Sequence, residues 1–215
     1  MLDRAVVEQS ADFQLHTLPR SFFARPTEAV ARDLLGTMLL RQTDEGVTAG
    51  VIVETEAYAG PEDLASHARA GLTRRTTPMF GEVGHAYVYL VYGMHECLNV
   101  VAYDDARAKA GAVLLRALEP VAGADLMRRR RGRDADPDAR LCSGPARLCQ
   151  AIAVDREFDG HDLTTGDRLW LAQSADMPSP AEIASGSRVG VEYAGDWASR
   201  LWRFWLPGHA CVSRR

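Results

Sequence analysis

The pattern of apolar and polar positions along this chain is mostly strand-like, in short runs broken by Gly, Pro and Asp. After a lead-in read as loosely ordered over residues 1–20, Pro26 to Gly36 carries helix signals: a polar cap, an early acid and a terminal glycine. Strands are predicted from Thr37 to Arg41 and from Val47 to Tyr58, around a turn at Asp44-Glu-Gly46, and a polar segment follows from Gly60 to Thr77. The densest β signal is His85 to Tyr103, with Gly93 as its breaker, which makes it a hairpin. Gly111 to Leu118 is a further strand, closed by Glu119-Pro120, and a helix rich in Ala, Leu, Met and Arg leads into the polar loop Gly132 to Arg140. Ser143-Gly144-Pro145 opens a helix reaching Ile152, by cap and by proline in the first turn, and the tail from Asp167 is Trp-rich and short-stranded. Strands precede helices and no repeat is visible. The expected fold is α+β: after residues 1–20, one domain over 21–215 with a curved, largely antiparallel sheet flanked by helices and a protruding β-hairpin.

Within that pattern the stretch Val51 to Tyr58 stands out, because it puts carboxylates on a core-like strand. Alternation sends Ile52, Glu54, Glu56 and Tyr58 to one face and Val51, Val53, Thr55 and Ala57 to the other. An ionised carboxylate removed from water costs several kcal/mol unless partners compensate, so these glutamates call for an ion pair or a chemical task. Arg116, in Ala112-Val-Leu-Leu-Arg-Ala-Leu118, shares a face with Ala112, Leu114 and Leu118, and a strand-interior arginine wants a carboxylate such as Glu54 or Glu56. Alternation leaves the two glutamates equivalent. Used together, neighbours on one strand face lie roughly 6.5–7 Å apart, near the separation of an inverting glycosidase pair, although nothing nearby forms a long sugar cleft.

The aromatic residues follow the same logic. Tyr87 and Tyr89 fall on one face of the hairpin and Val88, Leu90 and Tyr92 on the other, with Tyr92 beside Gly93 at the tip and Met94 next to it. A ring there either packs the hairpin end or acts as a wedge in a base stack. Tyr58, His67 and Tyr89 each offer a ring to a planar ligand, and a cationic one gains about 0.5–2 kcal/mol from the ring quadrupole. Asn99, in the other half of the hairpin, is a polar residue in an apolar run that by itself reads as a backbone hydrogen-bonding partner.

Composition narrows this picture only slightly. The chain has 215 residues, 47% hydrophobic and 25% charged, with a formal charge of −4, so it can bury one good core and has no overall basic signature. Lys109 is its single lysine, and it stands in a loop where it is a poor Schiff-base candidate. Arg128 to Arg133 is the strongest positive cluster, followed at once by Asp134, Asp136 and Asp138, as in a solvated helix end. The four cysteines, Cys97, Cys142, Cys149 and Cys211, form no CxxC pair and read as reduced, mostly buried thiols rather than a zinc site. The N-terminus lacks a signal-peptide apolar run and no segment approaches a membrane span, so an intracellular protein with no membrane partner is expected.

Taken together, ETEAY (54–58), GPED (60–63) leading to His67, YVYLVYGM (87–94), LLRALEP (114–120), LCSGPARLCQA (141–151) and RVGVEYAGDWA (188–198) resemble the alkyladenine (3-methyladenine) DNA glycosylase family, in order and spacing over nearly the whole chain. The resemblance implies a monofunctional base-excision-repair enzyme that flips damaged purines, such as 3-methyladenine, 7-methylguanine, hypoxanthine or ethenoadenine, out of duplex DNA and hydrolyses the N-glycosidic bond. It implies catalysis by Glu56 as base for a water that Arg116 helps hold, a base pocket of Tyr58, His67 and Tyr89, and Asn99 disfavouring the 2-amino group of guanine. It also implies DNA contacts by Tyr92 as wedge, by Met94, and by Ser143, Gly144 and Arg147 at phosphates. No cofactor, metal or lyase step is implied. Double-stranded DNA is the expected partner, the chain a monomer, and its place the cytoplasm, or the nucleus in a eukaryote. His95-Glu96 stands where relatives often carry aromatic residues, and Leu72 to Pro78 departs from the usual Arg- and Asn-containing loop. The alternative is a non-catalytic module that binds damaged DNA through Tyr92 and the arginines; Glu56 separates the two, since a binder has no use for it.

Overall fold

The computed structural model describes residues 16–106, 109–174 and 177–214. Its centre is an antiparallel sheet of eight strands: β1 (Met38–Thr43), β2 (Gly46–Ala59), β3 (Ala86–Val91), β4 (His95–Val101), β5 (Gly111–Ala122), β6 (Leu169–Ala172), β7 (Ala184–Gly186) and β8 (Arg203–Trp205). The main path runs β3-β4-β5-β2-β1-β6, with β8 bonded to β2 and β7. Strand β2 is the longest. It pairs with β5 along one edge, while the other edge takes β1 over its first half and β8 at Glu54 to Glu56. The two glutamates therefore sit on an interior strand with no open edge.

One face of the sheet packs on the helices Thr27–Asp33 and Pro145–Ile152, where Val30, Ala31, Leu148 and Ile152 join Ile52, Val88, Leu98, Val113 and Leu115 in the main core. Burying such aliphatic side chains is worth about 1.5–3 kcal/mol each, and this face supplies most of the apolar stabilisation. The other face carries smaller clusters, including Tyr87 with Met79 and Ala112, and Val53 with Ala117 and Cys211. All four cysteines are buried free thiols.

The β2–β5 register shifts between Ala49 and Gly50 and again between Ile52 and Thr55, and the second irregularity shapes the site. Ile52 pairs with Leu118, Glu54 with Ala117 and Thr55 with Leu115, so Val53 is an extra residue on β2 and Arg116 an extra residue on β5. The two bulges cancel, and Glu56 to Ala59 continue in the original register against Leu114 to Gly111. Contrary to the alternation rule, Ile52 and Leu118 thus join the main core instead of sharing the face of Glu54 and Arg116. Thr55 stays on the core side, its hydroxyl donating to the carbonyl of Ala31 at 2.6 Å.

Other expectations change in detail. Most of the 1–20 lead-in lies outside the described residues, but from residue 16 the chain is docked: Thr17 bridges Ala172, and Leu18 is buried and donates its amide to Leu171. The first long helix is shorter than predicted and has no side-chain cap, because its N-cap residue is Pro26; Thr27, inside the helix, donates its hydroxyl to the carbonyl of Ala102. Strand β5 does not stop at Pro120 but runs to Ala122 along β2. The helix Pro145–Ile152 is preceded by Gly144 at φ 123°, and Ser143 does not cap it.

Where β5 begins, the chains run so close that a side chain has no room. A Cβ on Gly111 would lie 2.5 Å from the Thr27 hydroxyl and 2.6 Å from the Ala102 carbonyl. Gly111→Ala is expected to destabilise the protein by about 1–3 kcal/mol, seen in differential scanning calorimetry as a Tm lowered by roughly 2–4 °C per kcal/mol; an unchanged Tm would mean this approach is not tight in solution.

A candidate active site on the carboxylate strand

Glu54 and Glu56 are both fully buried and reach the same guanidinium. Arg116 donates from Nε to Glu54 Oε1 at 2.9 Å and from Nη1 to Glu56 Oε2 at 3.2 Å, and its Nη2 donates to the Ser213 hydroxyl at 3.3 Å. The bulge at Arg116 lets one side chain span both acids. Beyond that shared partner the two glutamates differ. Glu54 Oε1 also accepts from Arg203 Nε at 2.7 Å, and its Oε2 accepts the Ser213 amide at 2.6 Å. Burial pushes the Glu54 carboxyl up, but the Arg116 charge and the hydrogen bonds of Ser213 and Arg203 outweigh it, so its pKa lies below the ordinary range. A carboxylate tied this firmly is a poor proton carrier, which removes the paired-carboxylate glycosidase reading.

Glu56 is held by donors that face a cavity. Its Oε2 accepts from the Tyr58 hydroxyl at 2.8 Å as well as from Arg116, and its Oε1 accepts the Val189 amide at 2.7 Å. Tyr58, Arg116 and Val189 all line a cavity of about 690 Å³ that Glu56 itself does not reach. The carboxylate thus lies one layer behind the cavity wall. Of roughly four acceptor positions on a carboxylate, three are filled, and the open one is on Oε1.

Much of the rest of the cavity is aromatic. His67, Tyr87, Tyr89 and Asn99 line it together with Tyr58. The His67 ring meets Tyr89 edge-on at 4.6 Å, Tyr87 and Tyr89 are tilted at 5.2 Å, and His67 Nδ1 shares a 2.9 Å hydrogen bond with the Tyr87 hydroxyl. Burial, then the charges of Arg75 and Arg69, lower the His67 pKa to about 4, so its imidazole is neutral at physiological pH. Burial, partly offset by Arg75, raises Tyr87 to about 12. Asn99 is buried and donates from Nδ2 to the Tyr87 carbonyl at 2.9 Å, as its place in an apolar strand suggested.

The hairpin tip projects beside the cavity. Tyr92 is 89% exposed and lines the rim, with Tyr92 and Gly93 both at positive φ (53° and 70°), a mirror-image turn in which a tyrosine is costly. Met94 is 69% exposed but outside the cavity lining. The proposed phosphate contacts fare less uniformly. The Gly144 amide is not free for an anion, since it donates to the Arg116 carbonyl at 3.0 Å and to the Cys142 carbonyl at 3.1 Å. Ser143 pairs with Ala117 as an isolated bridge, and Arg147 is exposed and lines a different cavity.

Several residues of the site were not singled out from the sequence. Asp63 and Arg188 form a fully buried pair, with Nη1 at 2.5 Å and Nη2 at 2.9 Å from the two carboxylate oxygens, and Asp63 also accepts the Ala59 and Ala65 amides. The Arg188 guanidinium lies between the rings of Tyr58 and Trp202, at 4.8 and 5.1 Å, and so fixes the neighbouring Val189 amide on Glu56. Arg75 stands over Tyr89 at 5.3 Å. Asp63 and Arg188 fall inside the GPED and RVGV motifs, which was the available signal; Arg75, Arg203 and Ser213 carried none.

Comparison with known proteins matches residues 21–210 to a family described as methylpurine-DNA glycosylase. The chain is 46% identical over 198 residues to a putative 3-methyladenine DNA glycosylase of Methanocella arvoryzae, covering 92% of this chain and 96% of that one. It is 52% identical over 200 residues to a similarly named protein of Anaeromyxobacter sp., covering 92% of each. It is 41% identical over 219 residues to the DNA-3-methyladenine glycosylase of Homo sapiens, covering 98% of this chain and 72% of the human one.

Glu54 carries a stability prediction with a definite sign. Its folded-state pKa is depressed, so its stabilisation is present above the unfolded carboxylate pKa of about 4.3 and lost as pH falls through the lower folded value. Glu54→Gln leaves Arg116 and Arg203 short of a buried counter-charge, and a loss of about 3 kcal/mol at neutral pH is expected, shrinking in acid. Urea unfolding at a series of pH values checks this; a difference between the proteins that grows in acid would contradict it.

Proposed function

The chain belongs to the methylpurine-DNA glycosylase family, hydrolytic DNA repair enzymes, and we propose that it excises alkylated purines with Glu56 as the base for water. The observation that carries this reading is that every hydrogen-bonding partner of buried Glu56 lines the aromatic cavity, so the carboxylate is oriented toward whatever the cavity holds. The damaged nucleotide turns out of the duplex and its base enters among Tyr58, His67 and Tyr89, while Tyr92 fills the gap left in the stack. Unstacking costs a few kcal/mol and is easiest at damaged or mismatched pairs. A cationic base is favoured by the ring faces, about 0.5–2 kcal/mol per contact.

Bond breaking builds positive charge on the sugar. The Glu56 carboxylate stabilises that charge and takes the proton of the attacking water at its open Oε1 position, and Arg116 steadies the carboxylate from the cavity wall. Because Glu56 lies behind Tyr58, Arg116 and Val189, water reaches it only as one of these side chains yields on substrate binding. 3-Methyladenine and 7-methylguanine leave as neutral bases without an acid. Hypoxanthine and ethenoadenine need protonation, and His67, neutral above about pH 4, is not placed to supply it near pH 7. The chemistry ends at an abasic site, since the only lysine, Lys109, is absent from the cavity lining. Asn99 limits the room and polarity available to a purine 2-amino group.

Duplexes carrying a single 3-methyladenine, hypoxanthine or ethenoadenine, assayed for alkali-labile sites in single turnover, test the mechanism. Wild type is expected to release at least one of these bases, and Glu56→Gln to lose about 10²–10⁴-fold in rate while still binding an abasic-site analogue. Full activity of Glu56→Gln would sink the mechanism, and no release of any base by wild type would favour the binding module. For the wedge, Tyr92→Ala is expected to diminish the fluorescence rise of 2-aminopurine placed beside a lesion; normal unstacking in that variant rules the wedge out.

A further inference from the structure

A second cavity, of about 480 Å³, reaches the hairpin of Tyr92 at His95. It is lined by His95, Arg131, Arg133, Asp136, Arg140, Arg147 and neighbours on the helix Pro145–Ile152. The two cavities share their partition: Tyr92, Gly93 and Pro145 line the aromatic one, His95 and Ala146 the basic one. Four arginines face one aspartate there. Asp136 is already engaged by Arg131, whose Nη1 also donates to the Arg140 carbonyl at 3.0 Å. Elsewhere in the run, Arg128 is matched with Asp125 and Asp138 and Arg130 with Glu45, while Arg129 is exposed and outside the cavity lining. Among the described residues Arg133, Arg140 and Arg147 have no carboxylate partner, and all three are exposed. All three line the same concave space, and the planar guanidinium fork is suited to a bidentate oxyanion.

We infer that this basic cavity seats a backbone phosphodiester of the DNA adjoining the step that Tyr92 opens, with Arg133 and Arg140 as phosphate ligands beside Arg147. The inference rests on the glycosylase reading for its choice of DNA, and on the shared hairpin partition for its place. A ring inserted between base pairs separates the flanking phosphates along the backbone, and the duplex must then run across both sides of the tip. The aromatic cavity takes the flipped base, and the cavity that begins at His95 brings three arginines without a carboxylate partner beside the hairpin. Phosphate contacts fix register without reading sequence, which is what a lesion-seeking enzyme requires.

Each phosphate neutralised by an arginine contributes about one unit to the slope of log K against log salt. Binding of a short duplex with an abasic-site analogue, followed by fluorescence anisotropy across KCl concentrations, is expected to lose about one unit of slope in Arg133→Ser and in Arg140→Ser, and about two in the double variant, whose affinity near 0.15 M salt falls roughly tenfold. Arg32→Ser, on the helix Thr27–Asp33 and in the lining of neither cavity, serves as the charge control and is expected to keep the wild-type slope. An unchanged slope in the double variant, or an equal fall in Arg32→Ser, overturns the proposal. So does tight binding of inorganic phosphate by wild type together with an unchanged DNA slope in the double variant, which assigns the cavity to a free anion. Base release by wild type is scored separately, so failure of the glycosylase reading and failure of the phosphate seat give different results.

Discussion

The shared guanidinium of Arg116 is the contact on which the rest of this site depends. It is buried on an interior strand with a carboxylate on either flank, and each acid is closed off by a further set of donors. Desolvating such groups costs several kcal/mol per ion, and only a nearly complete set of charge-assisted hydrogen bonds offsets that. Each acid accepts three hydrogen bonds, but two of the three on Glu54 come from Arg203 and Ser213, outside the aromatic cavity, whereas all three on Glu56 come from residues that line it. The difference between the two acids lies in the partners, not in the residue type.

The same cluster ties distant parts of the chain to one cavity. Arg203 on β8 and Ser213 near the C-terminus complete Glu54, while Arg188, gripped by Asp63, delivers the Val189 amide to Glu56. The aromatic wall is built from local strand geometry on β3 and from the turn at His67, and its histidine is kept neutral by burial and by neighbouring arginines. The lining of that cavity carries no carboxylate among the described residues; Glu56 lies one layer behind it, on Tyr58, Arg116 and Val189.

Much of this was legible from the chain. The face shared by Glu54, Glu56 and Tyr58, the hairpin with Tyr92 at its tip and the need of Arg116 for one of the two acids follow from alternation and from the demand of a buried arginine for a carboxylate; that Arg116 reaches both does not. Ile52 and Leu118 were misplaced because a bulge inserts one residue, and period-two reasoning has no means of seeing it. Gly144 was read as an anion contact because glycine and proline mark a helix start; its amide instead bonds the Arg116 carbonyl, a long-range pairing without local signature. Arg203 and Ser213 were missed for the same reason. Family resemblance pointed to the motifs of Asp63 and Arg188 but not to their contact.

The paired bulges have an evolutionary corollary. Val53 and Arg116 are each one residue in excess, and the excesses cancel only because they occur on neighbouring strands around one pair. Loss of a residue from β2 alone would turn either Glu54 or everything beyond it through the sheet, exchanging Glu56 and Tyr58 for Thr55 and Ala57 on the cavity side. The same loss from β5 would withdraw Arg116. Insertions and deletions in these two segments are therefore tolerated only as matched events, so β2 and β5 should keep their lengths in concert across descendants even where the side chains around them drift.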